Sequence, residues 1–382
     1  MSSNIEIKKV ETRCQLKKFV DFHYDLYKGN AYDAPTLFSD DMKTLDKKKN
    51  AAFEFCEAEY FLAYKDNKIV GRIAAIINHK ANARWGRRSV RFGWVDFIDD
   101  LEVSRALFDA VENYGRANGM KEMIGPLGFT DFDPEGMLTD GFDQLGTMAT
   151  IYNYPYYPQH MERLGGFEKD NDYVEFKIFV PEVIPEKYTK ISQMIEKRYN
   201  LHVRTITRKE IKEGMGHKIF YLINETFKDL YGFSELSDKQ IDQYVKMYLP
   251  MADLNLIPIV EDWTTDEHKM VGVGITIPSL SKALQKCRRG RLLPFGWWHI
   301  LRALKQHKTN IVDLEMVGVL PEYRKKGANA LLFYYLIPWY QRYGIEWGES
   351  QVEMESNENV QSQWQYFKTE NHKHRRCYKK LL

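Results

Sequence analysis

The sequence has few cysteines and no long apolar run. Its four cysteines, Cys14, Cys56, Cys287 and Cys377, show no paired spacing, which argues against both a disulfide framework and a zinc site. The first residues lack the apolar segment of a secretory signal, and no stretch approaches the roughly 20 apolar residues of a membrane span. We therefore expect a protein of the reducing cytoplasm that carries no metal.

A net charge is also nearly absent. The 55 Lys and Arg residues are balanced by 53 Asp and Glu residues, so the formal charge is only +2. We expect no nucleic-acid partner, because such proteins usually present an extended basic track, and any electrostatic role must come from local clusters. With 382 residues, 44% of them hydrophobic, the chain can fill the cores of two domains.

One local cluster of positive charge lies between a predicted strand and a predicted helix. Residues 311–319 are mostly apolar or small, Pro321 ends the strand because it has no N–H, and an apolar face resumes at Ala330. Residues 324–327, Arg-Lys-Lys-Gly, fill the turn. A helix start offers unpaired amides and partial positive charge, and a glycine permits close approach, so the junction suits a diphosphate. The alternative is a basic surface turn.

This stretch resembles motif A of the GNAT superfamily of acyl-CoA-dependent N-acyltransferases. In that motif a strand ending in V-x-P is followed by R-x-x-G-x-G/A, and the matching residues are Val319, Pro321, Arg324 and Gly327. The last position departs from the pattern, since Asn329 stands where Gly or Ala is usual. The resemblance implies an acetyl-CoA or other acyl-CoA co-substrate bound by Val317, Val319, Arg324, Lys325, Lys326, Gly327, Ala328 and Asn329.

The order of predicted elements occurs twice. In each half a strand and two helices precede three strands, which are followed by helix, strand, helix and strand. The individual predictions are a helix capped by Thr12, hairpins at 60–78 (with its turn at Asp66 and Asn67) and 256–278, a strand near 345–355, a helix from Asn359 and an end strand around 376–381. Val271 and Gly272 of the second half occupy the places of Val70 and Gly71 in the first. We therefore predict an α/β (α+β) protein of two tandem GNAT-like folds, with mixed central sheets flanked by helices. The predicted domains are residues 1–182 and 183–382.

The two halves differ at the strand-to-helix junction. In the first half Asp99, Asp100 and Glu102 stand at the helix start, where carboxylates satisfy the free amides but repel a diphosphate. We therefore expect the first copy to have a degenerate cofactor site and to help bind the acceptor. The cofactor is assigned to the second copy.

Candidate catalytic residues lie before and after the basic turn at residues 324–327. The GNAT motif N-x-x-A-x-x-L-Y is approximated by Asn359 and Tyr366, and the resemblance implies that Asn359 contacts pantetheine and Tyr366 protonates the leaving thiolate. Tyr366 can also be read as a core aromatic. Because an amine must lose a proton before it attacks a thioester, we favour Glu315 as the base, with Glu353 and Glu355 as alternatives. Each of these three can equally be a solvated strand-end carboxylate.

A basic, Trp-rich insertion at residues 279–308 has no counterpart in the first half. It combines eight Lys and Arg residues with Leu293, Phe295, Trp297 and Trp298. Such a segment can make peripheral contact with an anionic membrane or cover a long acyl chain. It can also pack as a helical hairpin against its own domain, with its charges in water.

The layout of nearly the whole chain resembles bacterial tandem-GNAT proteins of about this length. The function this implies is an acyl-CoA-dependent, acetyltransferase-like N-acyltransferase, in which a small-molecule or lipid-linked amine attacks the thioester directly. The alternative is an inactive GNAT-like protein that senses acyl-CoA or another ligand. The acceptor, the acyl length and the oligomeric state do not follow from the sequence.

Overall fold

Strands from the whole length of the chain join in a single mixed sheet. The computed structural model describes residues 5–184, 186–249, 252–264, 266–306, 309–357, 361, 363–364 and 367–382. Over these residues the sheet has 14 strands. Helices cover it on both faces and separate the hydrophobic core into clusters belonging to the first and the second half.

The first half supplies seven strands and five α-helices within the described residues. In chain order they are β1 (Glu6–Lys9), α1 (Arg13–Leu26), α2 (Phe38–Thr44), β2 (Cys56–Lys65), β3 (Lys68–Asn78), α3 (His79–Trp85), β4 (Ser89–Phe97), α4 (Leu101–Ala117), β5 (Glu122–Gly125), β6 (Met137–Asp140), α5 (Tyr156–Leu164) and β7 (Glu168–Phe179).

The second half opens with a helix and then repeats the order of the first. Its elements are α6 (Glu186–Tyr199), β8 (Leu201–Thr205), α7 (Arg208–Lys212), α8 (Met215–Phe227), α9 (Asp238–Tyr248), β9 (Pro258–Asp262), β10 (Lys269–Pro278), α10 (Ser281–Leu284), α11 (Gly296–Gln306), β11 (Ile311–Val319), α12 (Pro321–Arg324), α13 (Ala328–Tyr343), β12 (Trp347–Ser350), β13 (Glu353–Met354) and β14 (Thr369–Leu381).

The C-terminal strand of the chain lies inside the sheet of the first half. The strand order is β1-β2-β3-β4-β5-β14-β7-β12-β11-β10-β9-β8. Strand β14 runs antiparallel to both neighbours, so that Lys379 is opposite Ile124 of β5 and opposite Glu168 of β7. Strand β7 in turn pairs with β12, where Phe179 is opposite Trp347. Each half therefore depends on a strand from the other half to continue its sheet.

Buried ion pairs fix β14 in this position. The Lys373 ammonium lies 2.7 Å from a carboxylate oxygen of Glu175 on β7 and 2.7 Å from one of Glu349 on β12. Arg375 also pairs with Glu175. Because Lys373, Glu175 and Arg375 are at most 1% exposed, removing one partner would leave an uncompensated buried charge, at a cost of about 3–5 kcal/mol.

The helices follow from local signals in the sequence. Helix α1 begins after Thr12, whose hydroxyl accepts a hydrogen bond from the Gln15 amide in a capping box. In α4, Val103, Leu107 and Val111 recur every four residues and are fully buried, so they form one apolar face against the sheet. Each such side chain contributes roughly 1.5–3 kcal/mol of transfer free energy.

Several predictions about individual elements are confirmed and others are wrong. Both predicted hairpins are present, as β2–β3 and β9–β10. The predicted strand at 345–355 is instead two short strands, because the chain leaves β12 after Ser350 and pairs with β7 as β13. The end strand begins at Thr369 rather than near Arg376, and helix α6 was not predicted. The helix predicted from Asn359 falls largely outside the described residues.

Candidate functional site

The predicted anion-binding junction is a strand, a short helical turn and a long helix. Strand β11 ends at Val319, Pro321 occupies the first turn of α12, and Gly327 is the N-cap of the 16-residue helix α13. This arrangement directs the start of α13, with its partial positive charge, toward the turn that carries Arg324 and two lysines. The strand–turn–helix prediction is confirmed, whereas its ligand remains a prediction.

Gly327 has two structural reasons to be glycine. Its φ angle is 84°, a left-handed value that residues with a Cβ rarely adopt. A Cβ at this position would also lie 2.8 Å from Cδ1 of Ile195 on α6. The conformation of the turn therefore requires glycine even without a phosphate, and α6 covers one side of it.

Arg324 is partly committed to holding the turn together. Its Nε donates to the Val319 carbonyl at 3.0 Å and its Nη2 to the Thr226 carbonyl of α8 at 3.2 Å. A guanidinium has five N–H donors, so these two bonds tie the strand end to α8 and leave the positive charge at the turn. Arg324 thus positions the junction in addition to its predicted role with phosphate.

The two lysines of the turn differ in freedom. Lys326 lies over the Tyr323 ring, with Nζ 4.2 Å from the ring centroid, and the Tyr323 hydroxyl donates to Asp262 at 2.7 Å. Lys325 is exposed. Ala328 is fully buried and Asn329 is partly buried, so residue 328 can reach a ligand through its backbone alone.

Strands β11 and β12 separate next to this junction. They pair in parallel from Ile311 with Trp347 to Leu314 with Ser350. Beyond Ser350 the chain turns away to β7, and in the described chain the later residues of β11 pair with β10 alone. The main chain around Val317 is therefore left without a strand partner on that side, and this is the place where the GNAT resemblance puts the thioester.

Glu315 lies at a β-bulge in the middle of this opening. Met316 is opposite Ile275 and Leu314 is opposite Thr276, so Glu315 is an extra residue in β11. Its Oε1 is out of contact with water and accepts no hydrogen bond in the described chain. Burial raises the pKa of Glu315 to about 7, so this carboxyl group can exchange a proton near neutral pH.

Asp313, two residues earlier, is more deeply buried than Glu315. It has no exposed surface, and neither carboxyl oxygen has a hydrogen bond of standard geometry within the described residues. Burial, followed by the negative charges of Glu315 and Glu349, raises the pKa of Asp313 well above its ordinary value. Burial and these neighbouring charges therefore favour the uncharged form of Asp313, which limits the negative charge beside Glu315.

The loop at residues 131–135 in the first half contains three further carboxyl groups with raised pKa values. Burial is the largest cause that raises the pKa of Asp131 to about 7, of Asp133 to about 6 and of Glu135 to about 8. Both carboxyl oxygens of Asp131 and one of Glu135 have no hydrogen-bond partner among the described residues. The loop carries an unused capacity to accept hydrogen bonds from a cation or a hydroxyl group.

The acidic loop and β11 meet across the boundary between the halves. Phe132 stacks on Tyr244 of α9, with ring centroids 5.0 Å apart, and Met316 joins the same apolar cluster. After burial, the charges of Asp40, Glu315 and Asp133 raise the pKa of Tyr248. Residues of both halves therefore pack together at this boundary, and the shared acceptor site stays a prediction.

The remaining catalytic candidates are placed unequally. Burial raises the pKa of Glu353 to about 7, but its carboxylate accepts a hydrogen bond from Trp364 Nε1 at 2.9 Å. Glu355 is exposed and pairs with Lys169. Of the three carboxylates considered as base, Glu315 is the one at the strand opening. Asn359 and Tyr366 lie outside the described residues, so their roles stay predictions.

The corresponding junction of the first half has the opposite charge. Asp100 caps α4, accepting from the Glu102 amide at 3.0 Å, and its other oxygen lies 2.6 Å from Lys65 Nζ. The hydrogen bond from Lys65 is the largest cause that lowers the pKa of Asp100, so it is ionised at neutral pH. The bulge of β4 presents Trp94 rather than a carboxylate.

A buried ion network lies near the end of β4. His23 is flanked by Asp96 at 3.1 Å and Asp33 at 3.3 Å, and Arg72 also pairs with Asp96 at 2.7 Å. Burial acts to lower the pKa of His23, but the charges of Asp33 and Asp96 outweigh it and raise this pKa to about 10. These paired groups stabilise the first half.

Sequence reasoning missed several buried polar residues of β11, β14 and the loop at 131–135. Asp313 interrupts an apolar strand, and this interruption was a usable signal. His372 and Lys373 belong to a charged stretch that resembles a solvated strand, yet both are buried and both contact Glu349. The acids at 131–135 lie in a Gly- and Asp-rich loop whose place against β11 depends on contacts distant in sequence.

Neither a cluster of metal ligands nor a membrane-spanning helix is found among the described residues. The described part of the chain contains no group of three or more His, Cys, Asp or Glu side chains arranged to hold a metal ion. None of its helices combines the length and apolar character needed to cross a bilayer.

Comparison with known proteins agrees with this architecture. No protein-family model matches the chain. It is 24% identical over 368 residues to the bacterial ceramide synthase of Caulobacter vibrioides (strain NA1000 / CB15N), covering 91% of each chain. It is 26% identical over 371 residues to protein YghO of Escherichia coli (strain K12), covering 96% of this chain and 93% of that protein.

The fold is also found in a solved structure. A tandem GNAT protein from the clavulanic acid biosynthesis pathway superposes over 99% of this chain and 98% of its own, with a TM-score of 0.54 and 10% sequence identity. At this identity the likeness concerns the fold. Together with the repeated element order and the mixed sheet, it shows that the chain has the tandem GNAT fold.

Proposed function

We propose that the protein is an acyl-CoA-dependent N-acyltransferase whose second half binds acyl-CoA. The start of α13, with Lys325 and Lys326, suits the phosphates, and the separated strands β11 and β12 leave room for the thioester. The observation that carries the proposal is Glu315, which lies at the bulge of β11 with a pKa near 7. We expect the cofactor site of the first half to be degenerate, and Asp100 at the start of α4 supports this expectation because its carboxylate would repel a phosphate.

The proposed mechanism uses the carboxylate of Glu315 as the base. Acyl-CoA supplies an activated acyl group. Glu315 accepts a proton from the ammonium form of the acceptor, directly or through a water, because only the neutral amine has a free electron pair. The nitrogen then bonds to the carbonyl carbon while the carbon–sulfur bond breaks. Tyr366 is proposed to donate the proton that turns the leaving thiolate into a thiol. The second proton of the attacking amine leaves the new amide nitrogen for water, from which the Tyr366 phenol regains its proton.

The acceptor in this proposal is a long-chain amino alcohol. One relative that matches over nine-tenths of both chains is named a bacterial ceramide synthase, and a ceramide is an N-acylated long-chain amino alcohol. The acids at 131–135 suit such a head group. Asp133, with the lowest pKa of the three at about 6, attracts its ammonium as a carboxylate, and all three groups can accept hydrogen bonds from its hydroxyl groups. Asp131 has both oxygens without a partner in the described chain.

The test is turnover with a panel of acyl-CoA donors and amine acceptors. Purified protein is incubated with acetyl-CoA or long-chain acyl-CoA and with either short amines or sphinganine. Free thiol is measured with a chromogenic disulfide, and the amide product is identified by mass spectrometry. We expect thiol release that requires the long-chain amine, and we expect loss of this activity in Glu315→Gln.

A control variant separates catalysis from general damage. Asp100→Ser retains a side chain able to cap α4 and lies in the copy without the proposed cofactor site, so it should retain turnover. If acyl-CoA binds measurably by calorimetry but no acceptor in the panel releases thiol, the enzyme proposal is refuted. The alternative of an acyl-CoA-sensing protein would then account for the fold.

A further inference from the structure

The insertion at 279–308 leaves the sheet at the end of β10 and returns at the start of β11. It contains α10, a 3-10 turn at Arg288–Gly290 and α11. Leu280, Leu284, Cys287, Ile300 and Ala303 form its own small core. The described part of the insertion, residues 279–306, is therefore an ordered unit.

Two of its arginines attach the insertion to the first half. Arg289 pairs with Asp21 and Asp25 of α1, and Arg291 pairs with Asp21 at 2.9 Å. The Arg291 guanidinium also lies 3.9 Å from the centroid of the Phe38 ring. These contacts orient the insertion on α1 and α2, and they remove both arginines from the charge available to a partner.

The segment between the 3-10 turn and the middle of α11 exposes its large apolar side chains. Leu293 is 77% exposed, Phe295 is 72% exposed and Trp297 is 47% exposed. Of the thirteen exposed large hydrophobic residues in the described chain, five lie within residues 292–298. So dense an exposure is unusual on a soluble surface and marks an interaction site.

The remaining cations of the insertion surround this apolar segment. Lys282, Lys286, Arg288, Arg302 and Lys305 are exposed, and none of them forms an ion pair with a described residue. Arg302 lies 6.0 Å from the Trp298 ring centroid. A partner with negative charge at its surface and an apolar interior would satisfy both features at once.

We propose that residues 292–298 and these five cations form a docking surface for an anionic lipid bilayer. Tryptophan and phenylalanine settle at the boundary between head groups and acyl chains. Lysine and arginine beside them are attracted by anionic head groups. A bilayer presents anionic head groups directly above an apolar interior. This explains why exposed aromatic and basic residues are adjacent here and have no ion-pair partner among the described residues.

The insertion that carries the docking surface joins the sheet at the opposite end of β11 from the basic turn at residues 324–327. The insertion rejoins the sheet at Ile311, the turn follows Val319, and Glu315 is midway. At about 3.4 Å per residue, Glu315 is roughly 14 Å from Ile311 along the strand. If the proposed function holds, a lipid amine enters from the bilayer side while acyl-CoA approaches from water. The docking surface itself does not depend on that function.

Sedimentation with vesicles tests the docking surface. The full-length protein is mixed with vesicles of phosphatidylcholine alone, or of phosphatidylcholine with about one-third phosphatidylglycerol, without acyl-CoA or acceptor. We expect at least tenfold tighter binding to the anionic vesicles and weakening with salt. The double variant Leu293→Ser/Phe295→Ser should reduce that binding at least tenfold. Lys282→Glu/Lys286→Glu should abolish the preference for phosphatidylglycerol.

A matched control uses an exposed apolar residue elsewhere. Val183 is 80% exposed and outside the insertion, so Val183→Ser should bind vesicles as the unchanged protein does. The proposal is overturned if the unchanged protein ignores anionic vesicles, if Leu293→Ser/Phe295→Ser binds them equally well, or if that variant instead dissociates a dimer formed without lipid. Since the assay needs no turnover, its outcome is separate from that of the acyltransferase test.

Discussion

Glu315→Gln should make the protein less active and, at alkaline pH, more stable. The substitution keeps the size of the side chain and removes its charge. At neutral to alkaline pH the native protein carries a carboxylate whose Oε1 has no partner in the described chain, and the unfolded chain exposes the same group to water. Removing the charge therefore favours the folded state while it removes the proposed base.

The size of the stability effect follows from the pKa of Glu315. Its ordinary pKa is 4.5 and burial raises it to about 7. Each pKa unit corresponds to about 1.4 kcal/mol, so ionisation costs the folded state about 3 kcal/mol once the pH is well above 7. Because the folded state holds the proton more tightly, this cost grows between pH 4.5 and 7 and stays constant above that interval.

The assay compares Glu315→Gln with the unchanged protein from pH 5 to pH 9. We expect similar unfolding free energies near pH 5 and a variant more stable by about 3 kcal/mol at pH 9. In the unchanged protein, kcat/KM should rise with pH through an apparent pKa near 7. The variant should lack that rise, and its kcat/KM should be about 10²–10⁴-fold lower. The same acceptor amine is used with both proteins, so that the ionisation of the amine contributes equally to both pH profiles.

Glu353→Gln provides the matched control. Glu353 also has a pKa raised to about 7 by burial, but its carboxylate is held by Trp364, so the pH dependence of kcat/KM should persist. The reasoning is refuted if Glu353→Gln rather than Glu315→Gln removes the rise near pH 7. It is also refuted if Glu315→Gln is less stable than the unchanged protein at pH 9.

Three other variants test the basic turn at residues 324–327 and the ion network of the first half. Gly327→Ala places a Cβ 2.8 Å from Ile195 at a φ of 84°, so calorimetry should show acyl-CoA binding at least about tenfold weaker, with a lower Tm. Lys325→Glu should raise the Kd for acyl-CoA about tenfold at low salt and less at 0.5 M, because exposed charges are screened. His23 has a pKa raised to about 10, so its stabilisation, complete below pH 6.5, should fade as pH approaches 10; His23→Gln should lack this loss in urea titrations.

The parts of the fold that depend on local chemistry could be predicted. The capping box at Thr12 and the hairpin turn at Asp66 and Asn67 are specified by residues a few positions apart. Asp66 and Asn67 both have a positive φ angle, which such turns require. The glycine turn before α13 is of the same kind. For these elements the sequence pattern and the structure agree because neighbouring residues suffice to choose the conformation.

The parts that depend on distant partners could not be predicted. Strand β14 reads as a charged, solvated strand, and its burial becomes favourable only because Glu175 and Glu349 neutralise Lys373. Likewise, the acidic loop at 131–135 packs against the second half only through contacts such as Phe132 with Tyr244. Partners such as Glu175 for Lys373 and Tyr244 for Phe132, each more than a hundred residues away, leave no periodic signal in the strand or loop itself.

The place of β14 has a consequence for synthesis of the protein on the ribosome. Its residues, Thr369–Leu381, are translated long after β5 and β7, yet they fill the gap between these two strands. Until β14 leaves the ribosome, β5 and β7 each present an unpaired edge able to join a strand of another molecule. A nascent chain that stalls before β14 can therefore neither complete the sheet of its first half nor protect it from aggregation.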